Sequence, residues 1–181
     1  NTLSGLVVSG ANGGALDPDS GNNTVSNSAV TALSSAAFAG YASSGANNTA
    51  QYSSFYGFYG VWLSSNARFN TVTRSTVTAD SAASAALALY GASSNTVSLS
   101  YVGNLSGPGA FLDLNSNYNT ISQSTLTAGG AGHALQIAGA SVTTVTAGYL
   151  QSSAGDAARL ASGARFNTIS NSTMTRLGGG N

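Results

Sequence analysis

Asn119-Thr120-Ile121-Ser122-Gln123-Ser124-Thr125-Leu126 returns further along as Asn167-Thr168-Ile169-Ser170-Asn171-Ser172-Thr173-Met174. The Asn-Thr pair that opens both also stands at Asn1-Thr2, Asn23-Thr24, Asn48-Thr49, Asn70-Thr71 and Asn95-Thr96, with Thr143-Thr144 as a degenerate copy. Successive pairs lie 22, 25, 22, 25, 24, 24 and 24 residues apart. A fixed period in this range marks a repeat architecture, in which each unit stacks on its neighbours.

Counted from each Asn, the second residue on is apolar every time: Leu3, Val25, Ala50, Val72, Val97, Ile121, Val145 and Ile169. So is the seventh: Val8, Val30, Phe55, Val77, Val102, Leu126, Leu150 and Met174. Apolar residues three and four apart, which a helix requires, are missing, and the β-branched side chains of the first column suit a strand. Inward positions of one straight strand are an even number apart, so the five-residue gap demands a corner. It falls at Asn27, Arg74, Gln123 and Asn171, beside a column of small residues: Ser28, Ser53, Ser75, Ser100, Ser124, Gly148 and Ser172.

A third strand closes the coil at Val61-Trp62-Leu63, Leu87-Ala88-Leu89, Ala110-Phe111-Leu112, Leu135-Gln136-Ile137 and Ala158-Arg159-Leu160. Gly-rich stretches such as Gly129-Gly130-Ala131-Gly132 lead into it and are where the variation in period is expected to be absorbed. Three short strands per coil of ~24 residues define an all-β fold, a right-handed parallel β-helix of 7–8 coils. At ~4.8 Å per coil the rod is roughly 36 Å long. Packing volume also balances, since Ala50, the smallest of its column, shares a coil with Phe55, the largest of its own.

The two octapeptides at 119–126 and 167–174 resemble the parallel β-helix repeat of NosD-type and pectate-lyase-like proteins, and the resemblance covers essentially the whole chain. It implies the fold and leaves activity open, because that fold hosts lyases, hydrolases, epimerases, phage spikes and inert stalks. The Asp-Pro-His-Glu motif of β-helix epimerases is missing. Pectate-lyase-like chemistry implies clustered Asp for calcium near an Arg or Lys; here Asp80 and Arg74 share a coil without a second Asp.

Charge is nearly absent: 6% of residues are charged, all of them Arg or Asp. Phosphate binding needs clustered basic residues, so nucleic acid is excluded as a partner, and so is an anionic membrane surface. With 42% apolar residues in strict register the chain is not disordered. It has no Cys and hence no disulfide or thiolate metal site, and no run approaches the ~18 apolar residues of a membrane span. Leu3 to Val8 is too short, and lacks the basic flank, for a signal peptide. The register of the ends reads as a piece of a longer array, with residues 1–181 forming one β-helix domain.

Parity turns the Asn column inward, where amides hydrogen-bond from coil to coil. Thr24, Thr49, Thr71, Thr96, Thr120, Thr144 and Thr168 face outward in one file, with a second file of Ser, Thr and Gln51 two residues on. This double file resembles the faces of ice-binding β-solenoids, although Thr is also simply a good strand former. Tyr56, Tyr59 and Trp62, in the aromatic-rich segment 52–62, are candidates for contact with a partner or a glycan.

Paired carboxylates are what acid–base catalysis would require, and Asp80, Asp113 and Asp156 stand at different offsets in different coils. Asp17-Pro18-Asp19-Ser20 reads as a turn, and His133, with no Ser or Asp partner at a matching offset, as a solvated loop residue. The sequons at Asn22, Asn47, Asn104 and Asn171 arise from the repeat itself. The expectation is a non-catalytic segment of a secreted surface, stalk or fibre protein, located outside the cell or on its surface. It needs no metal and no cofactor, and it associates head to tail or with flanking repeats. Ice binding and polysaccharide binding or degradation are the alternatives.

Overall fold

The computed structural model describes residues 1–10, 21–32 and 38–178. Three parallel sheets make up a β-solenoid of about seven turns. The first sheet stacks Thr2–Ser4, Thr24–Ser26, Thr49–Gln51, Thr71–Thr73, Thr96–Ser98, Thr120–Ser122, Thr144–Thr146 and Thr168–Ser170. The second stacks Val7–Gly10, Ala29–Ala32, Ser54–Gly57, Thr76–Ala79, Tyr101–Asn104, Thr125–Ala128, Tyr149–Ser152 and Thr173–Arg176. The third holds Phe38–Ser43, Tyr59–Ser64, Leu87–Tyr90, Ala110–Asp113, Leu135–Ala138 and Ala158–Ala161.

Register follows the repeat residue for residue: Val97 pairs with Val72 and Ile121, and Val102 with Val77 and Leu126. Both apolar columns are therefore continuous inside the rod, where Val72, Val97, Ile121 and Val145 are at most 4% exposed. Leu87, Leu89, Leu112, Leu135 and Ile137 of the third sheet close the core from the remaining side. Phe55 is buried opposite the small Ala50, as volume balance requires.

The sharp corner between the first and second sheets is made by one left-handed residue per coil, at Asn27, Arg74, Gln123 and Asn171 as the five-residue gap predicts. Tyr52, Leu99 and Ala147 adopt the same conformation, with φ of 50 to 52°. The period varies mainly between the second and third sheets, where Phe58 alone links two strands in one coil and residues 80–86 link them in the next.

Two ladders of side chains run along the interior corners. In the first, Asn Oδ1 accepts the backbone N–H of the preceding coil's Asn. This repeats from Asn23 to Asn48, Asn70, Asn95 and Asn119 at 2.9–3.0 Å. The amide Nδ2 groups donate to the next Oδ1 and to loop carbonyls such as Gly45, Ala67 and Ala92. In the second, each Ser hydroxyl donates to a carbonyl of its own coil and accepts an N–H from the coil before. It links Ser28, Ser53, Ser75, Ser100 and Ser124 at 3.2 Å. These bonds satisfy backbone groups that the corners remove from the sheets.

The Asn ladder has one defect. Thr143 occupies the Asn position, fully buried, and its hydroxyl has no partner. A buried polar atom without a partner costs about 1–3 kcal/mol. Thr143→Asn puts an Oδ1 where the N–H of Asn119 can reach it, and is expected to stabilise the rod by about 1 kcal/mol in a denaturant titration. A loss of stability would mean that the site lacks room for the amide.

Candidate functional site

The outer face of the third sheet gathers the aromatic rings. Phe58, Tyr59, Trp62, Tyr90 and Phe111 form one row, with consecutive centroids 5.1, 4.4, 4.8 and 5.4 Å apart. Trp62 pairs in register with Ala88, which is fully buried although it points outward. In register it lies between Trp62 and Phe111. Trp62 and Tyr90 stack at 30°, while the other contacts are edge-on at 72 to 89°. Such pairs add ~0.5–1.5 kcal/mol each beyond their burial. Tyr59 and Trp62 are half-buried in this row, whereas Tyr56 lies on the second sheet, 42% exposed. The segment thus splits across a corner, and its aromatic residues do not form one platform.

Burial lifts the Tyr90 phenol from 10.0 to about 12, with Tyr59 and Asp113 adding repulsion of the phenolate. A raised folded-state value means that the fold favours the neutral ring. Its stabilising contribution is intact below pH 10 and is lost as pH climbs toward 12. Tyr90→Phe is therefore expected to flatten the decline of melting temperature across that window. An unchanged alkaline slope would place the titration elsewhere.

Beyond Phe111 the same outward file continues as Gln136 and Arg159. His133, read from sequence as a solvated loop residue without a partner, is neither solvated nor alone. Its side chain is 13% exposed; Nδ1 accepts the backbone N–H of Asp156 at 2.9 Å and lies 3.3 Å from Asp156 Oδ2. Nε2 is 3.0 Å from an Arg159 guanidinium nitrogen. Variable loop lengths bring His133 and Asp156 together from offsets one residue apart, which a strict comparison of offsets cannot detect. Backbone N–H and guanidinium groups only donate, while neutral imidazole has one bare nitrogen. With Nδ1 accepting the Asp156 N–H, Nε2 carries the ring hydrogen, so its 3.0 Å approach to Arg159 is a contact and not a second hydrogen bond.

Of the other carboxylates, Asp80 accepts from the Ser106 hydroxyl at 2.6 Å and Asp113 from the backbone N–H of Leu114 at 2.7 Å. Asp17 and Asp19 lie outside the described residues. Arg74 lies over the Tyr52 ring at 5.6 Å, beside a shallow groove of about 640 Å³ that also touches Leu6, Asn27 and Ser53. Among the described residues no three His, Asp or Glu come together as a metal site. The Asn104 sequon is buried, its amide bonded to the Ser81 and Ser84 carbonyls, whereas Asn22 and Asn171 are exposed.

The first sheet presents the Thr file. Thr24, Thr49, Thr71, Thr96 and Thr120 are half-buried, and Thr144 and Thr168 exposed, each paired in register with the next. In the neighbouring file Ser26 bonds Ser4 at 3.1 Å and Ser98 bonds Thr73 at 3.0 Å. No family model matches this chain, and no curated protein matches it either.

Proposed function

We propose that this chain is a non-catalytic structural segment of a secreted surface, stalk or fibre protein, a rod that spans distance and carries a neutral Thr/Ser-rich face. The observation that supports this best is the pair of interior ladders. Both run along the rod axis and join coil to coil from Asn23 to Asn119 and from Ser28 to Ser124, so the chain's buried polar bonding there resists separation of coils. Outward side chains of the first sheet are short and uncharged, which suits a face exposed outside the cell. On this reading the partners are flanking coils, or a second copy stacked end to end, over the exposed Leu3 at one end and Leu160 and Met174 at the other.

Single-molecule pulling on the two ends tests the reading. The rod should give way in discrete steps of about one coil, and smooth extension at the force of an unstructured chain would rule out a mechanical role.

Ice binding is the second reading, and a specific observation favours it. Among the described residues, the hydroxyls of Thr24, Thr49, Thr71, Thr96, Thr120, Thr144 and Thr168 make no hydrogen bond within the chain and are left to water. Thermal hysteresis that disappears on Thr96→Tyr and Thr120→Tyr would establish that reading; the structural one expects no hysteresis. A polysaccharide ligand draws less support, because the Trp62 and Tyr90 faces meet each other.

A further inference from the structure

The corner that precedes each interior Asn carries a second file of left-handed residues: Asn22, Asn47, Phe69, Ser94, Tyr118, Val142 and Phe166, with φ between 54 and 62°. Asn adopts this conformation readily, whereas aromatic and β-branched residues do so at a cost in backbone energy. The costly residues are also exposed: Phe69 by 55%, Tyr118 by 63%, Val142 by 39% and Phe166 by 83%. Coil-to-coil hydrogen bonds from Ser94, Tyr118 and Val142 hold the file straight, one member per coil. The isolated rod gains nothing by placing large apolar groups at strained turns in contact with water.

We propose that this file is where a second copy of the chain docks, the two rods lying side by side and antiparallel about a two-fold axis through Tyr118. The order of residues is complementary to itself in that arrangement. Tyr118 meets its own counterpart, Phe69 faces Phe166, and the small Ser94 faces Val142. Parallel rods would instead set Ser94 against Ser94 and leave a gap.

A fully covered aromatic side chain removes roughly 150–250 Å² from water. Scaled by their exposures, these side chains offer roughly 900 Å² across the pair, near the ~1,000 Å² that a specific interface needs before its rim is counted. Arg68 and Arg165 come to share one rim, where their repulsion is weak in water and screened by salt. The pair should therefore tighten as salt is raised. It also closes at two copies, unlike end-to-end stacking, so the two modes of association can fail independently.

Sedimentation velocity on the whole chain, at low and high salt, is expected to show a monomer–dimer equilibrium that shifts toward dimer with salt. Phe69→Asn, Tyr118→Asn and Phe166→Asn combined should weaken it roughly a hundredfold or more. Because Asn suits the left-handed turn, that variant should melt no lower than the wild-type monomer. The chain has no Cys, so oxidation of Ser94→Cys mixed with Val142→Cys should cross-link the two, while Ser94→Cys alone should stay uncross-linked. The proposal is overturned by a wild-type chain that remains monomeric, including one that instead binds phosphatidylcholine vesicles or a soluble polysaccharide through this file. A triple variant that still dimerises, or Ser94→Cys that cross-links to itself, overturns it equally.

Discussion

Ile121→Asp is expected to abolish cooperative folding. Ile121 is 2% exposed, between Val97 and Val145 in one column. A carboxylate there has no cationic partner along the column and no route to water, and burying it costs several kcal/mol. The lost apolar burial adds about 2–4 kcal/mol. A domain is stable by only ~5–15 kcal/mol, so the sum leaves little or nothing. Ser122→Asp, one residue on and facing out, should stay within about half a kcal/mol of wild type. Far-ultraviolet circular dichroism melts of the two variants make the comparison, and similar melting of both would mean that the inward register is wrong.

Asn95→Leu should have the next largest effect. The replacement keeps the branched, four-atom shape but removes every hydrogen bond of the Asn95 amide. The N–H of Asn70 loses the acceptor it holds at 2.9 Å, while Asn70 Nδ2 keeps only Gly45, the Ala67 carbonyl only the Ser93 N–H, and the Asn119 Oδ1 only the Asn95 N–H. Asn95 is 1% exposed, so water cannot substitute. One buried N–H left without an acceptor costs about 1–3 kcal/mol, and three neighbours each reduced to one partner bring the loss to about 2–4 kcal/mol. At roughly 2–4 °C per kcal/mol for a chain of this length, melting should fall by roughly 10 °C. A melt within a degree or two of wild type would show that the ladder aligns coils without stabilising them. Together with the gain expected for Thr143→Asn, this variant measures the ladder from both directions.

The candidate surfaces were legible to different depths. The Thr file could be read because a strand alternates, so the residue after each interior Asn has to face out. The aromatic segment 52–62 was visible as composition alone. That Tyr56 belongs to one sheet while Tyr59 and Trp62 belong to another depends on a corner at Phe58 no longer than one residue. Elsewhere the same corner takes five to seven residues, so no rule of period could place it. The contact of His133 with Asp156 escaped for the same reason: the loop before the third sheet changes length from coil to coil.

From its sequence alone this protein is determined to be a three-sided parallel solenoid. Stacking identical positions one coil apart is the only way to bury both apolar columns at once, and the period carries that information redundantly in every repeat. The corner left-handed residues at Asn27, Arg74, Gln123 and Asn171 follow from the odd gap between those columns. What only the tertiary structure decided is what each repeated polar or exposed group does once stacked. The small Ser beside the corner is a second ladder because its hydroxyl comes within reach of the next coil's backbone. Ala88 faces outward yet is buried, in register between Trp62 and Phe111 of the neighbouring coils. Phe69, Tyr118 and Phe166 each precede a repeat Asn, but that they are left-handed and exposed in one file shows only when the coils are stacked. Period and parity fix which way a residue points; its neighbours one coil away, set by loop length, fix what it meets there.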